Sequence, residues 1–318
     1  MIITVTLNAA IDRTTAVPNF RQGNRHRSVE SHTVAGGKGV NVARALARLG
    51  KPVIATGLTG GPTGQRLLEE LVGEAILHDF TPIADESRIN LAVIDPTSGE
   101  QTEINERGPE VTAQEADDFL DRLDYLARGA KICVLAGSLP PGVDTEIYAR
   151  IVGELRERGV IVVLDADGEP MRAGVRAGPS AITPNELEAE ALVGHEFEGP
   201  GDLAAGLGQL LELGAGEAIV TQPEGCVAAI GGPGARSFFE ARTEALEPVA
   251  AVGSGDAFLA GYVAARYDDM VPAECLAYGV ACGAESTQHF GAGTIDPERV
   301  ERIRAEVEVR ELEVPAGV

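Results

Sequence analysis

Apolar residues in this chain follow two alternating patterns. Short continuous apolar runs, such as residues 1–7, are typical of strands buried on both faces. From about residue 110 onward these runs alternate with segments whose apolar positions repeat at helical spacing. The alternation predicts an α/β fold, a doubly wound and mostly parallel sheet flanked by helices. The predicted strands are 1–7, 53–57, 76–80, 131–136, 160–165, 181–183, 217–221, 226–230 and 236–240, and the predicted helices are one ending at residue 50, 64–73, 112–128, 144–158, 185–193, 202–213, 254–267, 271–288 and 297–306.

Two more polar segments interrupt this pattern. The first segment, about residues 10–35, carries β-prone patches at 14–17 and 28–34. The second, about residues 88–107, contains a hairpin of strands 89–94 and 101–105. We expect both segments to leave the main sheet as a small β-rich lid. No linker or internal repeat divides the remainder, so we expect residues 1–318 to form one domain.

Charge narrows the choice of partners. Asp and Glu number 49 against 26 Lys and Arg, a net charge of −23, which disfavours binding to nucleic acid or to an anionic membrane. Only Lys38, Lys51 and Lys131 are lysines. Many acids with arginine in place of lysine are typical of a halophilic protein, although a GC-rich genome would also favour arginine.

Cysteine usage and hydropathy predict a cytoplasmic protein. The four cysteines form no CxxC pair, which indicates reduced thiols, and no histidine cluster has zinc-ligand spacing. No apolar run approaches the roughly 18 residues that a membrane helix needs. The first residues begin directly as a strand, so we expect no signal peptide.

A glycine-rich turn precedes the predicted helix 254–267. Gly253-Ser254-Gly255-Asp256 would present unpaired backbone N–H groups and a partial positive charge, a suitable cradle for an anion. An acid beside a bound phosphate is electrostatically unfavourable, unless it takes a proton from an attacking hydroxyl. The alternative is a helix capped by the side chain of Ser254 or Asp256.

A second glycine turn opens the helix that ends at residue 50. Gly36-Gly37-Lys38-Gly39 lacks the spacing of a Walker A loop but places a lysine between glycines at a helix start. Asp12 follows the first strand, where open α/β sheets bind ligands; a turn-forming role is equally compatible. Arg88 enters the hairpin and either forks onto a phosphate or faces solvent.

Taken together, these motifs resemble the ribokinase-like (PfkB) carbohydrate kinases over essentially the whole chain. The two glycine turns occur in the family's order, about 215 residues apart. Within the family the chain is most similar to the 1-phosphofructokinase and tagatose-6-phosphate kinase branch. The stretches that carry this resemblance are Thr6–Asp12, Ser87–Asn90, Thr102–Asn105 with Gly108–Glu110, and Gly137–Gly142.

The resemblance implies ATP-dependent transfer of a phosphoryl group to a sugar hydroxyl, with Mg²⁺, under a closing lid that often joins a second subunit. A monovalent cation is a further candidate cofactor. The implied catalytic residues are Asp256 as general base and Gly253, Ser254 and Gly255 as anion hole. The implied substrate contacts are Asp12, Gly37 and Asn41 for sugar hydroxyls, Lys38 and Arg88 for the substrate's own phosphate, and Asn105 and Ser138 from the branch-specific stretches. The implied nucleotide contacts are Asn185, Thr221, Gly225, Gly253 and Gly255, and Asn185 and Glu188 would order Mg²⁺ through water.

The chain departs from the family pattern at three places. Ala9 replaces a usual proline, Ser254 replaces a usual alanine, and Thr221–Cys226 lacks one glycine on the adenine side, which leaves another phosphoryl donor open. Arg107 either joins the phosphate pocket or faces solvent.

The branch implies a ketohexose phosphate as acceptor. We expect fructose 1-phosphate, converted to fructose 1,6-bisphosphate, while tagatose 6-phosphate and fructose 6-phosphate remain alternatives. A non-catalytic sugar-phosphate sensor, or a structural protein with an idle site, would not need Asp256, Asn185 and Glu188 together.

Overall fold

The computed structural model describes residues 1–231, 236–244, 246, 252–289 and 291–312. Within these ranges the strands are β1 (Ile2–Thr6), β2 (Ala10–Ala16), β3 (Glu30–Gly36), β4 (Val53–Gly60), β5 (Leu77–Ile83), β6 (Arg88–Ile94), β7 (Gln101–Asn105), β8 (Ile132–Ala136), β9 (Ile161–Asp165), β10 (Ala181–Ile182), β11 (Ala218–Gln222), β12 (Gly225–Ile230), β13 (Ser237–Arg242) and β14 (Glu308–Leu312). The helices are α1 (Lys38–Arg48), α2 (Gly61–Gly73), α3 (Ala113–Ala127), α4 (Ile147–Glu157), α5 (Gly168–Arg176), α6 (Glu186–Val193), α7 (Pro200–Glu212), α8 (Ser254–Tyr267), α9 (Pro272–Ser286) and α10 (Pro297–Arg304).

Ten strands form the large sheet, in the order β14-β13-β12-β11-β10-β9-β8-β1-β4-β5. The seven strands β11, β10, β9, β8, β1, β4 and β5 run parallel. Strands β12, β13 and β14 extend the β11 end of this sheet with antiparallel pairing. Helices cover both faces and bury two apolar clusters. One cluster involves α1, α2, α8, α9 and α10, and the other involves α3 to α7. The predicted doubly wound, mostly parallel sheet is confirmed.

The remaining four strands form a separate small sheet, in the order β3-β2-β6-β7. Two antiparallel hairpins, β2–β3 and β6–β7, are joined by the parallel pairing of β2 with β6. All four strands lie in the segments predicted as a lid. The pairing places Asp12 directly opposite Asn90, and Asn90 directly opposite Asn105. One face of the small sheet therefore carries a row of polar side chains.

Helices α1 and α8 begin at the two glycine turns and pack together on one face of the large sheet. Asp256 through Ala265 are buried without interruption. A Cβ on Gly261 would lie 2.6 Å from the carbonyl oxygen of Tyr278 and 2.7 Å from the sulfur of Cys282, so only glycine allows α9 this close. Close packing of this kind fixes the N-terminal end of α8.

Three predictions from the pattern differ from the structure. Helix α5 and strand β14 were not predicted, and α4 begins at Ile147 rather than at residue 144. Pro170 in α5 occupies the third helical position, where a missing N–H costs nothing. Residues 144–146 precede α4 as a turn, in which the Asp144 carboxylate accepts the backbone N–H of Glu146.

Candidate active site

A cavity of about 510 Å³ opens between the small sheet and the N-terminal ends of α1 and α8. It lies at the carboxyl ends of the parallel strands, the usual ligand position in an open α/β sheet. The sequence-predicted residues that line it are Asp12, Gly37, Lys38, Asn41, Arg88, Asn105, Asn185, Glu188, Thr221, Gly253, Ser254, Gly255 and Asp256. Residues from distant parts of the chain therefore meet in one place.

Asp256 lies at the bottom of this cavity, in the first turn of α8. It is 6% exposed, and its Oδ2 accepts a hydrogen bond of 2.8 Å from Nδ2 of Asn41. Burial raises the pKa of Asp256 to about 7, while the nearby Lys38 opposes that rise. A carboxylate with a pKa near neutrality is well matched to taking and releasing a proton.

The turn before Asp256 has the geometry of an anion cradle. Gly253 is the N-cap of α8 with φ of 84°, and within the described residues no side chain, neither Ser254 nor Asp256, caps the helix, so the capping alternative for these two residues is wrong. A Cβ on Gly253 would lie 2.4 Å from that of Ala292, whereas a Cβ on Gly255 would meet no atom of the described residues within 4 Å. Gly253, Ser254 and Gly255 line the cavity, so the first N–H groups of α8, at the positive end of the helix dipole, adjoin it.

Lys38 is the first residue of α1, directly after Gly37, whose φ of 104° favours glycine. Its ammonium lies 3.2 Å from Oδ1 of Asp165, a buried carboxylate at the end of β9. Asp165 raises the pKa of Lys38, with smaller contributions from Asp256 and Glu188. The lysine is thus held charged at the wall of the cavity, close enough to Asp256 for the two charges to interact.

The structure corrects the position of Asp12. It lies within β2 of the small sheet rather than just past β1, and Asn8 is the polar residue that follows β1, two positions after its end. Oδ1 of Asp12 accepts 2.8 Å from Nδ2 of Asn90, and burial raises the pKa of Asp12. A Cβ on Gly36 would lie 2.0 Å from Oδ2 of Asp12, so this glycine is required by the carboxylate beside it.

A smaller polar cavity of about 210 Å³ adjoins the main one. Arg88 lies between the two and donates from Nε to the carbonyl of Asn8 (3.1 Å) and from Nη1 to the carbonyl of Glu106 (2.9 Å). A guanidinium has five N–H groups, so these two bonds orient it without exhausting its donors. Lys38, Asn105 and Ser138 complete the predicted residues at this cavity.

Asn8 organises the wall of this smaller cavity. Its Nδ2 donates to the carbonyl of Arg107 (3.0 Å) and to the hydroxyl of Ser138 (3.3 Å). The side chain of Arg107 is exposed, and it is the main chain of this residue that supports the cavity. Of the two alternatives for Arg107, the structure favours solvent.

Asn185 and Glu188 form a capping box at the start of α6. Glu188 N–H donates to Oδ1 of Asn185, and Asn185 N–H donates to Oε2 of Glu188, both at 2.9 Å. Oε1 of Glu188 takes no part in the box, and burial raises the pKa of this carboxyl. Among the residues that the structure describes, no group of three or more His, Cys, Asp or Glu is arranged to hold a metal ion. One carboxylate facing the cavity fits Mg²⁺, which usually keeps several waters and is bound by one or two carboxylates plus phosphate oxygens.

A third cavity, of about 610 Å³, continues from the main one along α8 and α9. Thr221, Ser254 and Gly255 line both cavities. Its apolar part is supplied by side chains such as Phe258 and Val280. Gly225 also lines it, but a Cβ there would lie 1.9 Å from the carbonyl oxygen of Ala241, so the strand pairing alone already requires glycine.

Comparison with known proteins matches this arrangement to one family. The sequence profile of the "pfkB family carbohydrate kinase" matches residues 4–299. The chain belongs to the pfkB family of carbohydrate kinases. The predicted family, fold class and enzyme class, a sugar-phosphate kinase, are confirmed. Use of ATP follows from membership of a kinase family.

Relatives span the whole kinase. Tagatose-6-phosphate kinase from Staphylococcus epidermidis is 30% identical over 98% of this chain and 100% of the relative. The structure of phosphofructokinase-2 from Escherichia coli in complex with potassium has a TM-score of 0.88 and 26% identity, over 96% of this chain and 98% of that one. A possible 1-phosphofructokinase from Thermotoga maritima also gives a TM-score of 0.88, with 27% identity, over 98% and 100%.

Several residues of this pfkB kinase site had not been predicted from the sequence. Asn90 joins Asp12 on the small sheet and lines both the main and the smaller cavity, with a buried Oδ1 that has no partner within the described residues. Asp165 pairs with Lys38, and the Oγ1 of Thr183 is likewise buried, unpaired among the described residues and adjacent to the main cavity. Asn90 lies in a family stretch, which was a usable signal. Asp165 ends a predicted strand, so the argument that singled out Asp12, an acid at the carboxyl end of a strand, applied to it as well.

The structure also bears on the surroundings of this kinase site. The four cysteines are free and buried. In the described part of the chain, none of the helices has the length and apolar character needed to cross a membrane.

Proposed function

We propose that this kinase transfers the γ-phosphoryl group of ATP to a hydroxyl of a ketohexose phosphate. The preferred acceptor in this proposal is fructose 1-phosphate, and the product is fructose 1,6-bisphosphate. The observation that carries the proposal is the smaller polar cavity beside Arg88 and Lys38, which adjoins the cavity of Asp256. A sugar with a phosphate at one end and a reacting hydroxyl at the other would fill both.

In the proposed reaction, Asp256 accepts the proton of the sugar hydroxyl as that oxygen forms a bond to the γ-phosphorus. The bond from the γ-phosphorus to the bridging oxygen of ATP breaks, and ADP leaves with the electron pair. The proton later passes from Asp256 to water. No covalent enzyme intermediate is needed, and positioning with charge neutralisation supplies the catalysis.

Each part of the cavity has a place in this reaction. The N–H groups of Gly253, Ser254 and Gly255 would hold the transferring phosphoryl group. Asp12, Asn41 and the backbone at Gly37 would bind sugar hydroxyls, with Asn90 orienting Asp12. Lys38, Arg88, Asn105 and Ser138 would hold the sugar's own phosphate in the smaller cavity.

The nucleotide would extend along α8 into the third cavity, past Thr221 and Gly225. Asn185 and Glu188 would hold Mg²⁺ through water, and the bound ion would neutralise charge on the ATP phosphates. Potassium in the complex of Escherichia coli phosphofructokinase-2 supports testing a monovalent cation as well.

We further propose that two copies associate through the small sheet, which acts as a lid. The strand register puts Ile89 and Ile104 on the face opposite Asp12 and Asn90, and both isoleucines are more than two-fifths exposed. A second copy would cover these side chains. In our proposal residues 1–318 work as one domain, and the buried free thiols support a cytoplasmic protein.

Coupled ADP release tests the acceptor. The assay contains ATP and Mg²⁺ in molar KCl, with fructose 1-phosphate, fructose 6-phosphate, tagatose 6-phosphate and unphosphorylated sugars compared. We expect the highest kcat/KM with fructose 1-phosphate. Preference for a 6-phosphate would keep the mechanism and reverse which end of the sugar faces Arg88. The name of the Staphylococcus epidermidis relative, and a structure of Escherichia coli phosphofructokinase-2 in complex with fructose 6-phosphate, make this the strongest alternative.

A sugar-phosphate sensor without catalysis is the alternative from another class. A sensor gains nothing from a buried carboxylate with a pKa of about 7 next to an anion cradle. Absence of ADP release with every acceptor, together with measurable sugar-phosphate binding, would favour the sensor.

A further inference from the structure

Arg44 is a buried arginine that lies outside the lining of the cavity. It occupies α1 three residues after Asn41 and is 4% exposed. Buried arginines are rare unless their charge and hydrogen bonds are satisfied. This basic residue lies close to Asp256, the proposed base, but does not line the cavity.

All five N–H groups of the Arg44 guanidinium have acceptors. Nε and Nη2 donate to the two oxygens of the Glu74 carboxylate, the second at 2.8 Å. Nη2 also donates to the carbonyl of Ala35 at 2.6 Å. Nη1 donates to Oδ1 of Asn41 at 3.1 Å and to the carbonyl of Ala292 at 3.0 Å. The guanidinium is therefore fixed in one orientation by four different parts of the chain.

The bond to Asn41 decides which way its amide faces. Arg44 can only donate, so the amide atom that faces it must be the accepting oxygen and not the nitrogen. Nδ2 of Asn41 must then point to the other side, where it donates to Asp256 at 2.8 Å. A reversed amide would place an oxygen against the carboxylate and lose both bonds.

The other bonds of Arg44 reach the two remaining parts of the site. Ala292 is the residue that packs against Gly253 at the anion cradle. Ala35 lies in β3 next to Gly36, which packs against the carboxylate of Asp12. One side chain thus links Asp256, the glycine turn before it and the edge strand β3 of the small sheet.

We propose that Arg44 is a positioning residue for phosphoryl transfer, which holds Asp256 through Asn41 and the anion cradle through Ala292. This inference rests on the proposed role of Asp256 as base. The ion pair with Glu74 does not by itself explain the buried arginine, because a buried ion pair contributes little net stability compared with apolar side chains of similar size. The bonds to Asn41, Ala35 and Ala292 require the planar fork of a guanidinium.

The test replaces Arg44 by lysine, which keeps the charge near Glu74 but cannot reach all four acceptors. We expect kcat to fall about 10- to 100-fold, because small misplacements of a reacting group have effects of this size, while KM for the sugar phosphate changes by less than about threefold. The acid limb of the kcat–pH profile should also move to higher pH, since Asp256 loses an ordered donor.

Arg122→Lys is the matched control. Arg122 likewise pairs with a carboxylate, that of Asp79, and donates to a backbone carbonyl, that of Phe80, away from the cavity, but it is more exposed than Arg44. We expect at most a small drop in its Tm, because exposed ion pairs contribute little, while kcat and the pH profile stay at wild-type values. If Arg44→Lys also lowers only Tm, Arg44 is a structural residue and the proposal is wrong.

A double-mutant cycle identifies the route. In an Asn41→Ala background, Arg44→Lys should have at most a few-fold effect on kcat if Arg44 acts mainly through Asn41. A full additional 10- to 100-fold loss would overturn this route.

A readout without turnover separates this inference from the proposed function. In the wild type, NMR should show slow hydrogen exchange of the Asn41 side-chain amide, assigned by its loss in Asn41→Ala, and fast exchange in Arg44→Lys. If the wild type turns over no sugar phosphate but this contrast appears, the proposed reaction fails and the positioning of Asn41 stands. Equal exchange in both proteins overturns the positioning itself.

Discussion

The small sheet and the helix pair α1 and α8 both supply side chains to the active-site cavity, but they are held very differently. Strand β7 is exposed along its whole length, and the first half of β3 is exposed as well. In α8, by contrast, ten consecutive residues from Asp256 onward are buried. The helix pair holds Asp256 and the glycine turn before it in place without a substrate, which is the preorganisation that the proposed mechanism needs.

The small sheet contributes Asp12, Arg88 and Asn105 to the residues assigned to binding, and its outer strands are exposed, β7 wholly and β3 in part. Regions of low local stability are where closing movements are found. We therefore expect substitutions in the helix pair to change kcat, and substitutions in the small sheet to change KM. The following predictions test that division, from the largest effect to the smallest.

Asp256→Asn should have the largest effect, a loss of about a thousandfold in kcat with little change in the KM of the sugar phosphate, since general bases contribute in this range. Steady-state kinetics measures both. Near-full turnover would remove Asp256 from the mechanism.

The same variant should be more stable than the wild type at pH 8. The pKa of Asp256 is about 7 in the folded protein against 3.8 as its ordinary value, so the folded state binds the proton more tightly. Stability from this group is present at low pH and is lost as pH rises through that window. Asparagine does not ionise, so thermal unfolding should show a higher Tm for Asp256→Asn at pH 8 and a smaller difference at pH 4. A lower Tm at pH 8 would contradict the buried, ionising carboxylate.

Arg88→Ala should raise the KM of the sugar phosphate by about 10- to 100-fold and change kcat much less, because charge-assisted bonds to phosphate are lost. Arg107→Ala is the control, since its side chain is exposed on the same segment. An unchanged KM for Arg88→Ala, or equal effects of both variants, would place the substrate phosphate elsewhere.

The pH dependence tests the electrostatic coupling within the helix pair, between Lys38 of α1 and Asp256 of α8. In the wild type, kcat should fall as pH drops below about 7, because Asp256 becomes protonated. Lys38 lowers the pKa of Asp256, so Lys38→Met should raise that pKa and move the acid limb to higher pH. A kcat–pH profile between pH 5 and 9 measures the shift. A limb that stays in place, or moves to lower pH, would mean that Lys38 does not act on the base.

Salt should produce the smallest and least local effect. With a net charge of −23, repulsion among surface acids is screened over about 3 Å in molar salt, compared with about 10 Å at 0.1 M. We expect Tm and activity to rise between 0.1 and 2 M KCl, with sucrose of equal osmolality as the control. Full stability and activity in dilute buffer would contradict a halophilic protein.

The sequence predicts the buried part of this molecule better than its exposed part. The glycine turns before α1 and α8 can be identified because a helix start with positive φ leaves glycine as a signature. Strand β14, with exposed Glu308 and Arg310 at the sheet edge, has no buried face to reveal it. Helix α5 cannot be predicted from the pattern, because Gly168 and Pro170 are typical of a turn, and only the structure shows that they form the first turn of a helix.

Contacts between distant segments account for the unpredicted part of the site. The pairing of Asp12 with Asn90 depends on the register of β2 against β6, and no local pattern encodes that register. Asp165 and Arg44 become meaningful only when Lys38 and Asn41 lie beside them. Residue types and motifs therefore predict which side chains can take part in the chemistry, but only the fold shows which side chains they contact.

The capping box of Asn185 and Glu188 has a consequence for how this kinase can change over generations of mutation. The same two side chains begin α6 and present a carboxylate to the cavity. A substitution that abolishes the cap costs about 1 kcal/mol of stability in addition to any loss of cation binding. Loss of Asn185 is therefore opposed through folding as well as through the proposed cation binding, whereas glutamine at position 188 would keep the capping box and remove the carboxylate from the cavity.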